Sequence, residues 1–267
     1  MQIAFEVVIF VLGLIVLALI CEYIDSAIGG GYGTILVPIL LLLGFDNNII
    51  VPSVLFTEIW TGFASAGLHH VVGNAKFEAK IDRANGNLHL SEDSKVSSVL
   101  AACGVLGGVI AAIISLSVSG TLVKTYIGFL VAGIGIMILL RLKWKFTWSR
   151  IWGIGFLAAF NKGISGGGYG PLVSGGQIIV SRGPKEAVAS TSFSEAVVCI
   201  SALIIYILAG GTSLDVFFTA CLLVGALASV PLAVLTVKYV PINKLLPLIG
   251  VITMFLGAFT LAKVWFL

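Results

Sequence analysis

Charge is what this sequence has least of. Only 10% of its 267 residues are Asp, Glu, Lys or Arg, against roughly 25% in an average soluble domain. So little charge cannot clothe a water-facing surface, which excludes an ordinary soluble domain, a nucleic-acid binder and a disordered chain. Cysteine is scarce too. Cys21, Cys103, Cys199 and Cys221 stand singly inside apolar runs, with no CxxC pair and no metal-ligand spacing. Neither a disulfide scaffold nor a metal site is expected, and the four read as small core residues. The opening Met1-Gln2-Ile3-Ala4-Phe5-Glu6 lacks a basic n-region, and no small-residue cleavage signal follows. Residues 3–22 therefore read as a retained helix. A Walker loop, a GxGxxG fingerprint after a strand and a nucleophile–base arrangement are also missing, so neither an enzyme nor a cofactor is expected.

What is present in excess is apolar surface. Apolar residues make up 59% of the chain and its mean hydropathy is +1.14. That suffices for roughly eight spans of ~20 residues, and the fold class expected is all-α, polytopic and membrane-embedded. Full-length apolar stretches lie at about 3–22, 49–73, 96–118, 121–140, 187–209, 214–236 and 245–265. Three more, at 34–44, 151–161 and 171–180, are too short for ordinary spans, and each adjoins a glycine cluster. Such runs read as broken or re-entrant helices. The one sizeable polar loop, Lys76 to Lys95, is too short for a second domain.

The chain repeats itself. Gly29-Gly30-Gly31-Tyr32-Gly33 recurs 137 residues later as Gly166-Gly167-Gly168-Tyr169-Gly170. At the same offset Ser53-x-x-Phe56-Thr57-Glu58 recurs as Ser190-x-x-Phe193-Ser194-Glu195. Two motifs at one spacing imply duplication, with halves at about 1–140 and 141–267. Basic residues set the orientation. Placing the loops with Lys76, Lys80, Arg83 and Lys95; Arg141, Lys143, Lys145 and Arg150; Arg182 and Lys185; and Lys238 and Lys244 in the cytoplasm puts twelve of the fifteen inside. Both termini then lie outside, and each half crosses an odd number of times. The second half is inverted relative to the first, an arrangement of alternating-access transporters.

The glycine clusters are the candidate substrate-lining elements. Glycine is costly in a helix interior, but it permits close backbone approach and frees N–H groups at the start of the short helix that follows. For one such stretch, close helix packing is the plainer explanation. Two matching copies, each followed by an abnormally short apolar run, point to Gly29, Gly30, Gly31, Tyr32 and Gly33 with Gly166, Gly167, Gly168, Tyr169 and Gly170 as the binding segments. The tyrosines are expected to bond substrate oxygens or to cap a half-helix. Glu22, Asp25, Glu58, Lys162 and Glu195 are ionisable residues at membrane depth, where a charge needs a partner or a wet cavity. Glu58 and Glu195, preceded by the supporting hydroxyls of Thr57 and Ser194, are either proton-coupling sites or structural acceptors for the glycine breaks. Asp25 and Lys162 share the 137 offset with opposite signs, so they meet as a salt bridge or Lys162 stands free as an anion trap. The favoured reading is the free lysine in an electropositive pocket. Trp60, Trp144, Trp148, Trp152 and Trp265 read as interfacial anchors, and His69-His70 as a helix-end hydrogen-bonding pair.

These residues resemble the TauE/SafE family of sulfite-exporter-like permeases. The likeness is carried by Ile28-Gly29-Gly30-Gly31-Tyr32-Gly33 with Pro38, Thr57-Glu58-Ile59-Trp60-Thr61-Gly62, Gly67-Leu68-His69-His70 and Gly73-Asn74. Gly163-Ile164-Ser165-Gly166-Gly167-Gly168-Tyr169-Gly170-Pro171 carries it into the second half. The polar loop after Asn74, with Glu78, Asp82, Asn85 and Glu92, departs from the short family pattern. The resemblance implies a secondary transporter of small sulfur-containing anions, such as sulfite, sulfoacetate or related organosulfonates, in the bacterial cytoplasmic membrane. Export is the expected direction, since an inside-negative potential drives an anion outward by about 2.3 kcal/mol per charge per 100 mV. The expected partners are the anion, the lipid bilayer and, if transport is coupled, protons; an oligomer is neither required nor excluded. The rival readings are an anion channel and a membrane accessory subunit of a sulfur-metabolising enzyme.

Overall fold

The computed structural model describes residues 2–81, 88–115, 120–165, 168–208 and 214–266. The described residues form ten helices: α1 Gln2–Ile28, α2 Tyr32–Leu42, α3 Asn47–Val71, α4 Glu92–Ser115, α5 Gly120–Leu139, α6 Trp148–Ser165, α7 Tyr169–Ile179, α8 Pro184–Leu208, α9 Val216–Tyr239 and α10 Ile242–Trp265. Among the described residues, five stretches are long and apolar enough to cross a bilayer: Glu6–Ile28, Ile49–Val71, Pro184–Leu208, Val216–Tyr239 and Asn243–Trp265. The chain is thus an all-α multi-pass membrane protein. α2 and α7 have 11 residues each. At 1.5 Å per residue they reach about 16 Å, roughly half of a ~30 Å hydrocarbon core.

Local chemistry sets the helix boundaries. Asp215 caps α9, its carboxylate accepting the Phe218 N–H at 2.9 Å. The Ser91 hydroxyl accepts from the Ser94 N–H at 3.2 Å before α4, whose first turn carries Glu92 and Asp93 against the positive helix end. Pro184 opens α8, where the missing N–H costs nothing.

α2 and α3 are separated from α7 and α8 by 137 residues at both ends of each helix. α3 and α8 pack together at the centre. α8 also packs on α4 and α3 on α9, while α1 lies against α9, α6 against α4, and α5 against α10. One apolar core joins α1, α2, α3 and α9 through Ala18, Tyr32, Leu36, Ile50 and Leu222. A second joins α6, α7, α8 and α4 through Ala158, Tyr169, Leu172, Val198 and Leu100. The outward faces stay apolar, as along α1 at Val8, Phe10, Leu12, Val16 and Ile20, which is the surface a bilayer requires of its solute. All five tryptophans are exposed, and Trp60 stands midway along α3, away from the helix ends where an interfacial anchor sits.

Three expectations change. The stretch 151–161 is not a short segment: Asn161 and Lys162 continue it into the 18-residue α6, because a buried lysine with partners does not end a helix. The first helix runs on to Ile28, carrying Glu22 and Asp25 inside it. The polar loop holds an antiparallel hairpin of β1 Ala79–Ile81 and β2 Leu88–Leu90, with Lys80 paired to His89 in register. Within it Lys80 Nζ lies 2.8 Å from Glu78 and, by hydrogen bond and charge, holds that carboxyl below its usual range.

A buried arginine ties the two ends of the chain's middle together. From the α7–α8 turn, Arg182 bonds the Asp93 carboxylate and reaches Glu92 Oε1 at 3.2 Å, both in the first turn of α4. Removing one partner of a buried pair leaves the other charge uncompensated, at about 3–5 kcal/mol. Arg182→Ala is therefore expected to lower the melting temperature of the detergent-solubilised protein clearly, while Lys80→Ala, at an exposed pair, leaves it unchanged.

Candidate functional site

The chain breaks its helical path where side chains vanish. Gly29, Gly30 and Gly31 have φ of +79°, +143° and +140°, and Gly168 has +77°, backbone states open to glycine and strained for other residues. The breaks meet. A methyl group on Gly30 would stand 2.3 Å from Gly170 Cα, and one on Gly170 would stand 2.2 Å from Gly30 Cα. Only two glycines allow main chain to cross main chain this closely. The Gly168 N–H adds a link to the Thr34 hydroxyl at 3.4 Å.

Helix α1 supplies the clamp on the first break. The Asp25 carbonyl accepts the Gly29 and Gly30 N–H groups at 2.7 and 3.0 Å, and its carboxylate accepts the Tyr32 N–H at 2.8 Å. The acceptor that secures the start of α2 is therefore Asp25, a task expected of Glu58 or Glu195. Behind it, His69 Nδ1 accepts from Asn74 at 2.9 Å. That leaves its Nε2–H to donate to the Ser26 carbonyl at 3.4 Å. Asn74 also donates to the Val234 carbonyl at 3.1 Å, so the His69–Asn74 pair fastens α3 to α1 and α9. His70, its neighbour, accepts the Phe77 N–H at 3.1 Å.

Beside the crossing lies a small polar cavity lined by Gly31, Gly33, Thr34, Gly168, Gly170, Pro171, Glu58, Lys162 and Glu195. Its free volume is about 10 Å³, room for about one water. Lys162 from α6 reaches Glu195 Oε1 at 2.7 Å and Glu58 Oε2 at 3.3 Å. The three residues are 5, 6 and 7% exposed, so this is a buried ion triad. Lys162 Nζ also stands 5.7 Å from the Tyr169 ring centre, within cation–π range. Cys199 of α8 donates its thiol to Glu58 Oε2 at 3.1 Å, which takes it out of the apolar-filler role. Glu22 and Asp25, also buried, interact electrostatically with the same group.

The charge balance differs from expectation. Lys162 is neither free nor paired with Asp25; it is held by Glu58 and Glu195. Two carboxylates hold the one ammonium and two more lie near them, so the group carries excess negative charge when all are ionised. Two unit charges 4 Å apart interact by roughly 4 kcal/mol at an effective dielectric near 20, so this imbalance is a strong local force.

Of the expected binding residues, Gly31, Gly33, Gly168, Gly170 and Lys162 line the cavity, while Gly166 and Gly167 lie outside the described residues. Gly29 and Gly30 build the turn and crossing behind it. Tyr32 and Tyr169 are buried in the two apolar cores, and the Tyr169 hydroxyl bonds the Leu100 carbonyl at 3.4 Å. Their rings anchor the short helices together with Leu36 and Leu40 of α2 and Leu172 and Val173 of α7. Thr57 and Ser194 bond carbonyls of their own helices, Ser53 and Thr191, and stand beside Tyr32 and Tyr169 respectively. They support the tyrosines and leave the carboxylates to the lysine. Sequence reasoning missed Thr34 and Pro171; each follows its GGGYG directly, and that adjacency was the available signal.

The sequence pattern of the sulfite exporter TauE/SafE family matches residues 14–260. A curated relative, the Probable membrane transporter protein YtnM of Bacillus subtilis (strain 168), is 23% identical over 264 residues, covering 93% of this chain and 82% of its own. No solved structure matches.

Two outcomes test the site. Lys162→Met strands two buried carboxylates and is expected to cost about 3–5 kcal/mol, whereas adding Glu58→Gln and Glu195→Gln to it restores most of the loss in thermal unfolding. Gly170→Ala forces a methyl into Gly30 and is expected to destabilise by about 1–3 kcal/mol, while Gly13→Ala, with open space around it, does not.

Proposed function

The chain belongs to the TauE/SafE sulfite exporter family, and from that premise we propose that it is a secondary transporter of small sulfur-containing anions. Sulfite and organosulfonates are the substrates, moved outward across a bacterial cytoplasmic membrane with both termini outside. The observation that carries the reading is the Lys162 ammonium, fixed where two glycine breaks cross and facing a cavity walled by their backbone. A group of three sulfur-bound oxygens, as in sulfite or a sulfonate, calls for such a combination: one fixed positive charge, backbone donors at the starts of short helices, and a hydroxyl such as Thr34.

The mechanism is alternating access between two inverted repeats, residues 1–140 and 141–267. Support comes from the packing. If α1 to α5 are exchanged for α6 to α10, the pairs α1–α9 and α6–α4, α3–α9 and α8–α4, and α2–α3 and α7–α8 map onto one another, while α3–α8 and α5–α10 map onto themselves. The two apolar cores exchange in the same way. An odd number of crossings in each half, as the basic loops imply, inserts the second half upside down. A cavity with room for about one water belongs to a closed state of the cycle, and rocking of one half against the other opens it to either side. Closure around the site also favours a carrier over a channel, which holds a continuous path.

Reconstituted protein is expected to move labelled sulfite or sulfoacetate across liposomes with saturable flux and with counterflow on the far side. Large single-channel currents would instead assign a channel. Protein that moves no sulfur-containing anion, yet copurifies with an enzyme that handles one, would assign the accessory-subunit role.

A further inference from the structure

Resting on the anion-carrier reading, we infer that each anion enters the site together with one proton, and that Glu195 takes it. Lys162 is already held by two carboxylates, Glu195 at 2.7 Å and Glu58 at 3.3 Å. With all three ionised the triad carries one excess negative charge, at a buried site. An incoming anion meets that charge and finds the single ammonium taken. Anion binding and full ionisation of the carboxylates exclude each other at such range.

The surrounding elements do not relieve the excess. From α1 come Glu22 and Asp25, both buried carboxyl groups that interact with the triad, and Cys21 beside Glu22. From α2 and α7 come the Tyr32 and Tyr169 phenols, and from α8 the Cys199 thiol. Lys162 is the only cation facing the group among the described residues. Neutrality is reached by protons, and an anion adds to the demand for them.

Geometry selects Glu195 from the two partners of the lysine. Glu58 Oε2 already accepts from both Lys162 and the Cys199 thiol. Glu195 Oε1 accepts from Lys162, but its Oε2 is buried and has no hydrogen-bond partner among the described residues. Glu195 also lines the cavity. A proton on that open oxygen does two things at once. It weakens the hold on Lys162, freeing the ammonium for the anion, and it turns a repelling acceptor into an O–H donor for an anion oxygen. The coupling is reciprocal: the proton raises anion affinity and the anion raises proton affinity at Glu195. With a divalent anion the transported anion–proton pair still carries one net negative charge, so the membrane potential continues to drive export; with a monovalent one the step is electroneutral.

The test uses the full chain in liposomes containing a pH-reporting dye, with an organosulfonate as probe because it stays fully charged across neutral pH. The expected result is proton movement in the same direction as the anion, and anion affinity that falls by up to about tenfold per pH unit on the alkaline side. Glu195→Gln, which supplies a neutral donor permanently, is expected to bind the organosulfonate in thermal-shift titration with no dependence on pH and to carry no protons. Glu58→Gln is expected to keep the pH dependence. Anion flux with no proton movement overturns the proposal and leaves the carrier reading intact, as does Glu195→Gln retaining the wild-type pH dependence. Loss of that dependence in Glu58→Gln with retention in Glu195→Gln overturns the assignment to Glu195. Absence of flux for any sulfur-containing anion overturns both readings.

Discussion

One ammonium between two carboxylates, set against bare crossing backbone, is the constraint on which the structure turns. Lys162 comes from α6, Glu58 from α3 and Glu195 from α8, so a single buried triad fastens three helices. In a low-dielectric interior no member tolerates loss of its partners, and the helices must hold their positions or exchange the charge for another. A site of this kind is a lock that a ligand or a proton can open.

The glycine breaks make that lock reachable. A continuous α1–α2 helix would bury its N–H and C=O groups in its own ladder and present only side chains to the interior. Breaking it at Gly29–Gly31 exposes backbone at membrane depth, which hydrocarbon does not tolerate. The structure answers with Asp25, which takes up N–H groups on both sides of the break, and with the opposing glycine segment, which shields the rest. The tyrosines following each break bury their rings in separate apolar cores, where leucines of the same short helices join them. Stability is thus placed around the site, in the cores and in the Arg182 tie to α4.

Much of this was legible in the primary structure because membranes impose strong patterns. The lengths of the apolar stretches gave the long helices, and the runs after each GGGYG gave α2 and α7 within about two residues of their observed bounds. Periodic copies at 137 residues pointed to the two glycine segments and to Glu58 and Glu195 as counterparts. The extent of α6 was not legible, since Asn161 and Lys162 read as a polar stop until their partners are known. The hairpin in the polar loop was equally hidden, being three residues per strand.

By itself the amino-acid order determined that the chain enters a bilayer, where its helices are interrupted, and which ionisable groups lie at depth. Those are one-dimensional properties, fixed by hydropathy and by the conformational freedom of glycine. Only the tertiary structure decided which charge meets which. Lys162 is 104 residues from Glu58 and 33 from Glu195, and its repeat counterpart, Asp25, bonds backbone elsewhere. Pairing of that kind depends on distances of a few ångströms between helices, and spacing along a chain carries no such distance. The sign of the pocket follows from the pairing, which is why an expected electropositive trap became an ammonium already occupied.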